Sequence, residues 1–436
     1  MPEAATTRFG VARAEWPAVI GLVAGFLLLR LVAFRSTPLV YVDSGDYDNL
    51  ALLGGARRPF TVPLVYWFVS TDGWRVVAQL AISSASFVVL ALVVGAMLRA
   101  RWVRFGGIAA ILALGLTTQV TNWDSAILSD SITISATVLL LAAWLHWHRA
   151  PSGRAIAAVL AATVAWTFTR ELHVFFTVGV AAVAVIAGLR RPQRALRILA
   201  VGLVVIAVLA VVEDQRNQET AVENIAGVIG LRIMPDASAR QWFVEHDMPD
   251  SSSLPEGVSV PREELQAIPE FEHWLETKGL TTYALYLLTH PNVAITGPYG
   301  DLLEERVTYA EQPSRPVLLS PAEAYGRSRP VLPAPVETVL FDPGRTGAIL
   351  ALTALALIGA VVGRVRRRRD RRLRMPLVVI GLVLPYVGLA WNGSVFEPGR
   401  HAMPAAVALR IGVIVVLAVL ADALVAERGS TVRAAA

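Results

Sequence analysis

Ten apolar runs, each near the length of a membrane span, constrain this chain more than any other feature. They lie near 16–34, 76–98, 105–122, 129–147, 155–170, 173–189, 198–213, 346–363, 375–391 and 403–424. A helix needs about 20 mostly apolar residues to cross ~30 Å of hydrocarbon. Inside lipid every backbone N–H and C=O must be bonded within the protein, so spanning elements are helices or closed barrels. Runs of this length select helices. The sequence therefore predicts an all-α polytopic membrane protein with about ten transmembrane helices. The third to sixth runs have the least defined edges, because the turns between them are short. The chain as a whole is 55% hydrophobic and 17% charged, with a mean hydropathy of +0.55. That lies far from a soluble average.

Loop charge assigns sides, since Lys and Arg in short loops stay in the cytoplasm. RARWVR (99–104), HWHRAPSGR (146–154), RRPQRALR (190–197) and RVRRRRDRRLR (364–374) alternate with the other loops along the chain, so all four fall on one side. Both termini are expected in the cytoplasm, in a multi-pass plasma (inner) membrane protein. The arginine run at 364–374 reads as an anchor against anionic headgroups. The N-terminal MPEAATTRFGVARAEWP lacks a small-residue cleavage site after its first apolar run, so that run is expected to be retained.

The net charge of +5 is almost wholly arginine, because Lys278 is the only lysine. The arginines sit in short clusters between apolar runs, which argues for topology and against a nucleic-acid partner. The chain has no cysteine. That excludes disulfides, thiolate metal sites and a cysteine nucleophile. No internal repeat, P-loop or dinucleotide fingerprint is present.

Three regions follow from this topology. Residues 1–213 form a transmembrane module of seven spans, whose first outer loop is about 35–75. Residues 214–345 form an extracytoplasmic, mostly helical domain. Residues 346–436 carry the last three spans. In the middle region, ETAVENIAGVIGLRIM has apolar residues at helical spacing, and PREELQAIPEFEHWLETKG opens with Pro and acids as helices do. YALYLLTHP is an amphipathic helix able to lie on the membrane face. The stretch EQPSRPVLLSPAEAYGRSRPVLPAPVETVLFDPGR is Pro-rich and expected to be extended.

Ionisable residues cluster in four short outer segments. The first is YVDSGDYDNLALLGGARRPFTVPL, 41–64. Asp43 reads either as a helix cap, with Asp46 three residues on imitating a capping box, or as a reactive acid. On an α-helix Asp43, Tyr47 and Ala51 would share one face. Asp48 reads as solvated. Arg57 and Arg58 follow, and the prolines suggest an extended return to the second span. Arginine binds phosphate oxygens bidentately. The second segment is TNWDSAILSDSITIS, 121–135. Asp124 is expected in the outer turn and Asp130 at the top of the fourth span. An ionisable group there marks a functional site or a charge favoured by the helix dipole. The third is WTFTRELHVFF, 166–176, where Arg170 and Glu171 either pair with each other or leave Arg170 for a phosphate. His173 reads as a core histidine. The fourth is WNGSVFEPGRHAMPAA, 391–406, where Glu397, Arg400 and His401 crowd one turn. Asn392-Gly-Ser394 fits a glycosylation tripeptide that recurs by chance.

These segments resemble those of the GT-C superfamily of polytopic glycosyltransferases, which use polyprenyl-phosphate sugars. Asp43-Ser-Gly-Asp-Tyr47…Leu50-Ala51 is similar to that family's acid-x-x-x-Tyr-x-x-Leu/Ile-Ala pattern. Leu128-Ser-Asp130-Ser resembles its Ser/Thr-Glu/Asp-Ser segment. Glu397-x-x-Arg400-His401, with Pro404, resembles the Glu-x-x-Arg-His-x-x-Pro of bacterial members. The resemblance covers about half the chain. It departs where Asn122-Trp-Asp124 stands in place of a paired Asp-x-Asp, so metal binding by Mg²⁺ or Mn²⁺ is left open. The arginine-rich, lysine-poor composition fits an actinobacterial envelope enzyme.

The resemblance implies an inverting transferase working on the periplasmic or extracellular side. Asp43 would be the general base, with Asp46 and Asp130 beside it. Tyr47, Arg57, Arg58, Asp124, Arg170, Glu397, Arg400 and His401 would bind substrate and lipid phosphate. The partners would be a polyprenyl-phosphate sugar donor, a glycan, glycolipid or protein acceptor, and the bilayer. Three other readings stay open. One is a transporter or flippase for a lipid-linked sugar. A second is an O-antigen-ligase-like transferase, for which His273 and His290 are the candidates. The third is a non-enzymatic envelope scaffold with 214–345 as its interaction domain.

Overall fold

The computed structural model describes residues 13–51, 57–191, 193–216, 218–250, 257–303, 318–321, 328–365, 370–395 and 397–435. The start of the N-terminal segment, the centre of the arginine run and much of the Pro-rich stretch lie outside the described residues.

Helices are the only extended regular elements among the described residues; one isolated parallel bridge pairs Leu39 with Ala126. Seven helices are long and apolar enough to cross a membrane: Trp16–Ala33, Asp72–Met97, Asp130–Arg149, His173–Arg190, Arg194–Arg216, Arg371–Gly393 and Pro398–Glu427. An eighth candidate is bent by 50° between Arg101–Gly115 and Thr118–Ser125. Shorter apolar helices, Gly153–Thr167 and Gly347–Gly363, occupy the two remaining predicted positions. Gly153–Thr167 has 15 residues. At 1.5 Å per residue it rises roughly 22 Å, less than the full hydrocarbon thickness. The chain is thus an all-α, multi-pass membrane protein, with a helix at each predicted run.

The bundle is organised around Asp72–Met97, which packs against both Arg101–Gly115 and Asp130–Arg149. Its inner face mixes Phe87, Leu90 and Val94 with Gln79, Ser83, Ser84 and Ser86, all buried. The polar members are there to bond something, as buried polar groups must. Gln79 Nε2 donates to the carbonyls of Ala126 (2.9 Å) and Asp124 (3.2 Å). Ser83 and Ser84 accept from Arg30 of the first helix. The opposite, exposed faces of the helices carry Leu28, Val183, Leu189, Val201 and Ile358, as lipid contact requires.

Two expectations about loops change. The return from the first loop is not extended, since Thr61–Phe68 is a short helix with Pro63 in its first turn. Proline is tolerated there because that N–H has no helical partner in any case. The tail of the Pro-rich stretch is also helical, at Ala334–Phe341. Arg410, buried in the last helix, ties it down. It donates to Leu340 O, Leu319 O and Ser320 Oγ, each at 2.7 Å, and its guanidinium lies 3.5 Å from the centre of the Phe341 ring.

The long middle segment builds a core of its own from Ile225, Ile229, Phe243, Leu265, Phe271, Trp274, Tyr283 and Tyr286, joined by Val395. Its helices include Gln218–Val228, Ala237–Val244, Pro269–Trp274, Leu280–Thr289 and Pro291–Leu303. The Leu280–Thr289 helix buries Thr282, Tyr283 and Tyr286 on one face and exposes Leu280, Leu285 and Leu288 on the other. Several contacts fasten this segment to the end of the Arg374–Gly393 helix. Arg232 lies 3.6 Å over Trp391 and donates to Trp391 O and Ser394 O. Tyr283 Oη donates to Asn392 Oδ1 (3.4 Å). Gly297 sits so close to Trp391 that any side chain would strike the indole. Asn392 itself is buried and donates to Gly388 O, consistent with a tripeptide that fits the glycosylation pattern only by chance.

Candidate active site

The first loop folds as a 3-10 helix, Val42–Tyr47, and the helix ends before Ala51. Asp43, Tyr47 and Ala51 therefore do not share a face as an α-helix would arrange them. With three residues per turn, positions i and i+3 eclipse, so Asp43 and Asp46 line up instead. Asp43 does not cap this helix. Ser44 fills that role: its Oγ accepts from Tyr41 N (2.8 Å) and donates to Ile127 O (2.7 Å). That second bond, with the Leu39–Ala126 bridge, seats the loop beside the start of the Asp130–Arg149 helix. Tyr47 is buried, edge-on to Tyr66 at 6.2 Å. Tyr66 Oη donates to Leu128 O (3.1 Å).

A connected set of ion pairs gathers here from four segments. Arg58 lies 3.4 Å from Asp43 and 3.1 Å from Asp46, and 5.6 Å over the Tyr47 ring. Arg57 is 3.8 Å from Asp46 and 2.7 Å from Glu223 of the middle segment. Arg400 reaches Asp43 (3.7 Å), Asp130 (2.8 Å) and Glu397 (2.7 Å). Arg170 pairs with the other oxygen of Asp130 and donates to His401 Nδ1 at 3.1 Å. A guanidinium has only donors, so His401 accepts at Nδ1 and keeps its proton on Nε2. Among the described residues, Glu223 and four carboxylates of the outer segments thus face four guanidinium groups. Burial alone would weaken the charge on Arg58, but Tyr47, Glu171, Asp43 and Asp46 outweigh it and hold its pKa above the usual range.

Exposure separates the acids. Asp130 is 1% exposed and spends both oxygens on arginines, whereas the Asp43 side chain is 42% exposed. Glu397 holds a positive φ of 49°. An L residue keeps that conformation only where its surroundings enforce it, and here its carboxylate is drawn to Arg400.

Ten of the eleven candidate residues meet in this network or line it; Asp124 does not. Expected in an outer turn as a substrate ligand, it is buried inside the bundle, bonded to Arg30 (2.7 Å) and Ser131 (2.9 Å). Arg30 is 94 residues away in sequence, and nothing local signals the pair. The local pairing of Arg170 with Glu171 does not form either. Asp130 takes the guanidinium instead. Glu171 Oε1 and Arg170 Nε are left buried without a hydrogen bond. They line a small cavity with Pro59, Thr167, Glu213 and Asp214. Glu213 was not foreseen; it accepts from Phe60 N (3.2 Å) and fixes the first loop to the seventh span. The acids at the end of VVEDQR were the only hint. His173 is a core residue, stacked 3.8 Å from Trp166 and bonded to Tyr386. Asp48 pairs outside the network with Arg75, at 2.6 Å.

A hard divalent ion needs about six oxygen ligands. Among the described residues no group of three or more His, Asp or Glu side chains is placed to hold one. The carboxylates present are already turned toward arginines, so they do not fit such an ion as arranged. His273 is exposed on Pro269–Trp274, and His290 packs on Tyr286 and Trp242; neither meets the network.

No protein-family model matches the sequence. No curated protein matches it either. Among solved structures, the fold is similar to the archaeal oligosaccharyltransferase AglB from Archaeoglobus fulgidus, determined in complex with an inhibitory peptide and a dolichol-phosphate. The two are 11% identical over 96% of this chain and 52% of that one, with a TM-score of 0.46. The chain thus spans about half the length of the structure it resembles.

Proposed function

We propose that the chain is a membrane glycosyltransferase of the GT-C type. It would move a sugar from a polyprenyl-phosphate donor to a cell-envelope acceptor on the outer face. One observation carries this reading: arginines and acids from four separate segments converge around Asp43, the most exposed carboxylate of the network. The motifs at 43–51, 128–131 and 397–404 that resemble the family supply Asp43, Asp46, Asp130, Glu397 and Arg400 of this set. The arginine-rich loops support a network on the outer side, with the termini in the cytoplasm.

In this reading the acceptor hydroxyl attacks the anomeric carbon while Asp43 takes its proton. The bond from that carbon to the phosphate oxygen breaks, and polyprenyl phosphate leaves with the bonding pair. Attack opposite the leaving group inverts the centre. Arg400 and Arg58 bracket Asp43 and stabilise the charge that grows on the phosphate, which fixed cations do at no cost of reorganisation. Asp130 positions Arg170 and Arg400 and does not itself react. Glu397 and Asp46 hold the remaining arginine donors in register. Tyr47 supports the Arg58 plane, and His401 locks Arg170. No step is routed through a metal.

A transporter of the same lipid-linked sugar is the second reading. It is favoured by the 50° bend after Gly115 and the buried Arg30–Asp124 pair, since broken helices and buried charges mark transport sites. The test is sugar transfer from radiolabelled polyprenyl-phosphate sugars in membranes holding wild type or Asp43→Asn at matched folded levels. Transfer that only the mutant loses supports the enzyme. Movement of donor across vesicles without transfer would replace it with the transporter.

A further inference from the structure

The middle segment holds a second built pocket, away from the arginines. It is a half-open cleft of about 300 Å³ lined by Ser238, Gln241, Trp242, Glu245, Tyr286 and His290. This is the low end of the ~300–1,000 Å³ typical of ligand sites, room for one or two sugar rings. Two elements build it. Ala237–Val244 is capped by Asp236, which accepts from Ser238 N (2.9 Å) and Ala239 N (3.1 Å). Leu280–Thr289 lies across it. Trp242 stacks on His246 at 3.7 Å and meets Tyr286 at 5.1 Å and His290 at 5.6 Å. The wall is thus aromatic and fixed before any ligand arrives.

The polar groups of the lining are only partly used. Gln241 Nε2 donates to Glu245 Oε1 (3.0 Å), leaving Gln241 Oε1 and Glu245 Oε2 as acceptors on two exposed side chains. His290 spends Nδ1 on the Tyr286 carbonyl (3.1 Å), so Nε2 remains. Tyr286 is buried, yet its hydroxyl makes no hydrogen bond among the described residues. Burial and the nearby Asp236 carboxylate both push the Tyr286 pKa upward, so the phenol stays a donor. The lining has no Arg or Lys and includes Glu245, with Asp236 beside it. Such a wall repels a phosphate. It suits a neutral ligand with apolar C–H faces and a rim of hydroxyls.

We infer that this cleft binds the neutral glycan of the acceptor, with Trp242 and Tyr286 as platform and Gln241, Glu245 and His290 reading hydroxyls. The inference rests on the transferase reading for the word acceptor, but its binding claim does not. The position supports it. Arg232, five residues before Ala237, grips Trp391 and Ser394, and Tyr283 on the same helix as Tyr286 bonds Asn392. A glycan held here is therefore anchored to the turn that carries Glu397 and Arg400.

The experiment is saturation-transfer NMR on the full chain in nanodiscs, without donor, using methyl α-D-mannopyranoside, methyl β-D-galactopyranoside and methyl α-D-arabinofuranoside as probes. At least one should give a signal in wild type that survives in Asp43→Asn. Binding should weaken about tenfold or more in Trp242→Ala, as for an anchor aromatic. Gln241→Ala and Glu245→Gln are exposed changes that spare the core and should weaken it too. No signal from any probe overturns the inference, as does a signal untouched by these three variants or lost in Asp43→Asn. If Asp43→Asn keeps full transfer, the catalytic reading falls while the cleft stands.

Discussion

Two of the arginine–carboxylate groups in this bundle differ in completeness. In the first, Arg30 sends its donors to Asp124, Ser83, Ser84 and Gly115 O, and Asp124 takes a further bond from Ser131. Both side chains are at most 2% exposed. In the second, Arg58, Arg170 and Arg400 are shared among Asp43, Asp46, Asp130 and Glu397; Asp43 is open to solvent, and Arg170 Nε and Glu171 Oε1 have no bond. The same residue types close on themselves in one place and stay unfinished in the other. A closed pair holds helices together. An unfinished network has capacity left for a substrate, and that contrast is what separates structure from chemistry here.

The largest expected effect breaks the open network at its accessible acid. Asp43→Asn should lower transfer by ~10²–10⁴-fold, the usual cost of losing a general base. The thermal midpoint in detergent should be unchanged, because the group caps nothing and is largely solvated. A large fall in midpoint with normal activity per folded molecule would reverse the assignment of the two groups.

The closed pair should behave in the opposite way. Arg30→Met strands a buried carboxylate and should cost about 3–5 kcal/mol of stability. Adding Asp124→Leu should restore most of that loss, since an apolar pair of similar volume is often as stable as the ions it replaces. Thermal unfolding of the two variants reads this directly. Transfer per folded molecule should remain near wild type in both.

Arg170→Lys sharpens the contrast. A guanidinium can span Asp130 and His401 together, whereas an ammonium is a point charge on a flexible stem. Transfer should fall by ~10²-fold, the low end for removing one fixed donor at a developing charge. Most of the change should appear in kcat, measured at saturating donor. An effect on donor KM alone would make Arg170 a ground-state ligand.

The sequence carried the helices well, because span length and apolarity are local properties. It also carried Asp43, Asp130, Arg170, Glu397 and Arg400, since acids and arginines at the ends of apolar runs stand out. What it hid was pairing. Arg170 has Glu171 as its neighbour and looks self-sufficient, yet it bonds Asp130, 40 residues away. Asp124 looked like an outer-turn acid because Arg30 sits inside an apolar run. The face shared by Asp43 and Asp46 depends on three residues per turn, and the pattern 43–47–51 equally fits an α-helix. Among the described residues Arg410 bonds only carbonyls and Ser320, so no charge pattern announces it.

The smallest expected effect comes from Asp48, which tests whether proximity in sequence is enough. It stands five residues from Asp43, is 55% exposed, and pairs at 2.6 Å with Arg75, which also lies 4.9 Å over Tyr66. Arg75 keeps Asp72 at 3.1 Å if Asp48 is removed. Exposed pairs are worth ~0.2–1 kcal/mol, so Asp48→Asn should shift the thermal midpoint barely and leave transfer intact. High salt should erase what difference there is, because screening acts on exposed charges first. A loss of transfer in Asp48→Asn comparable to that in Asp43→Asn would mean that the whole loop, and not the convergence on Asp43, sets the rate.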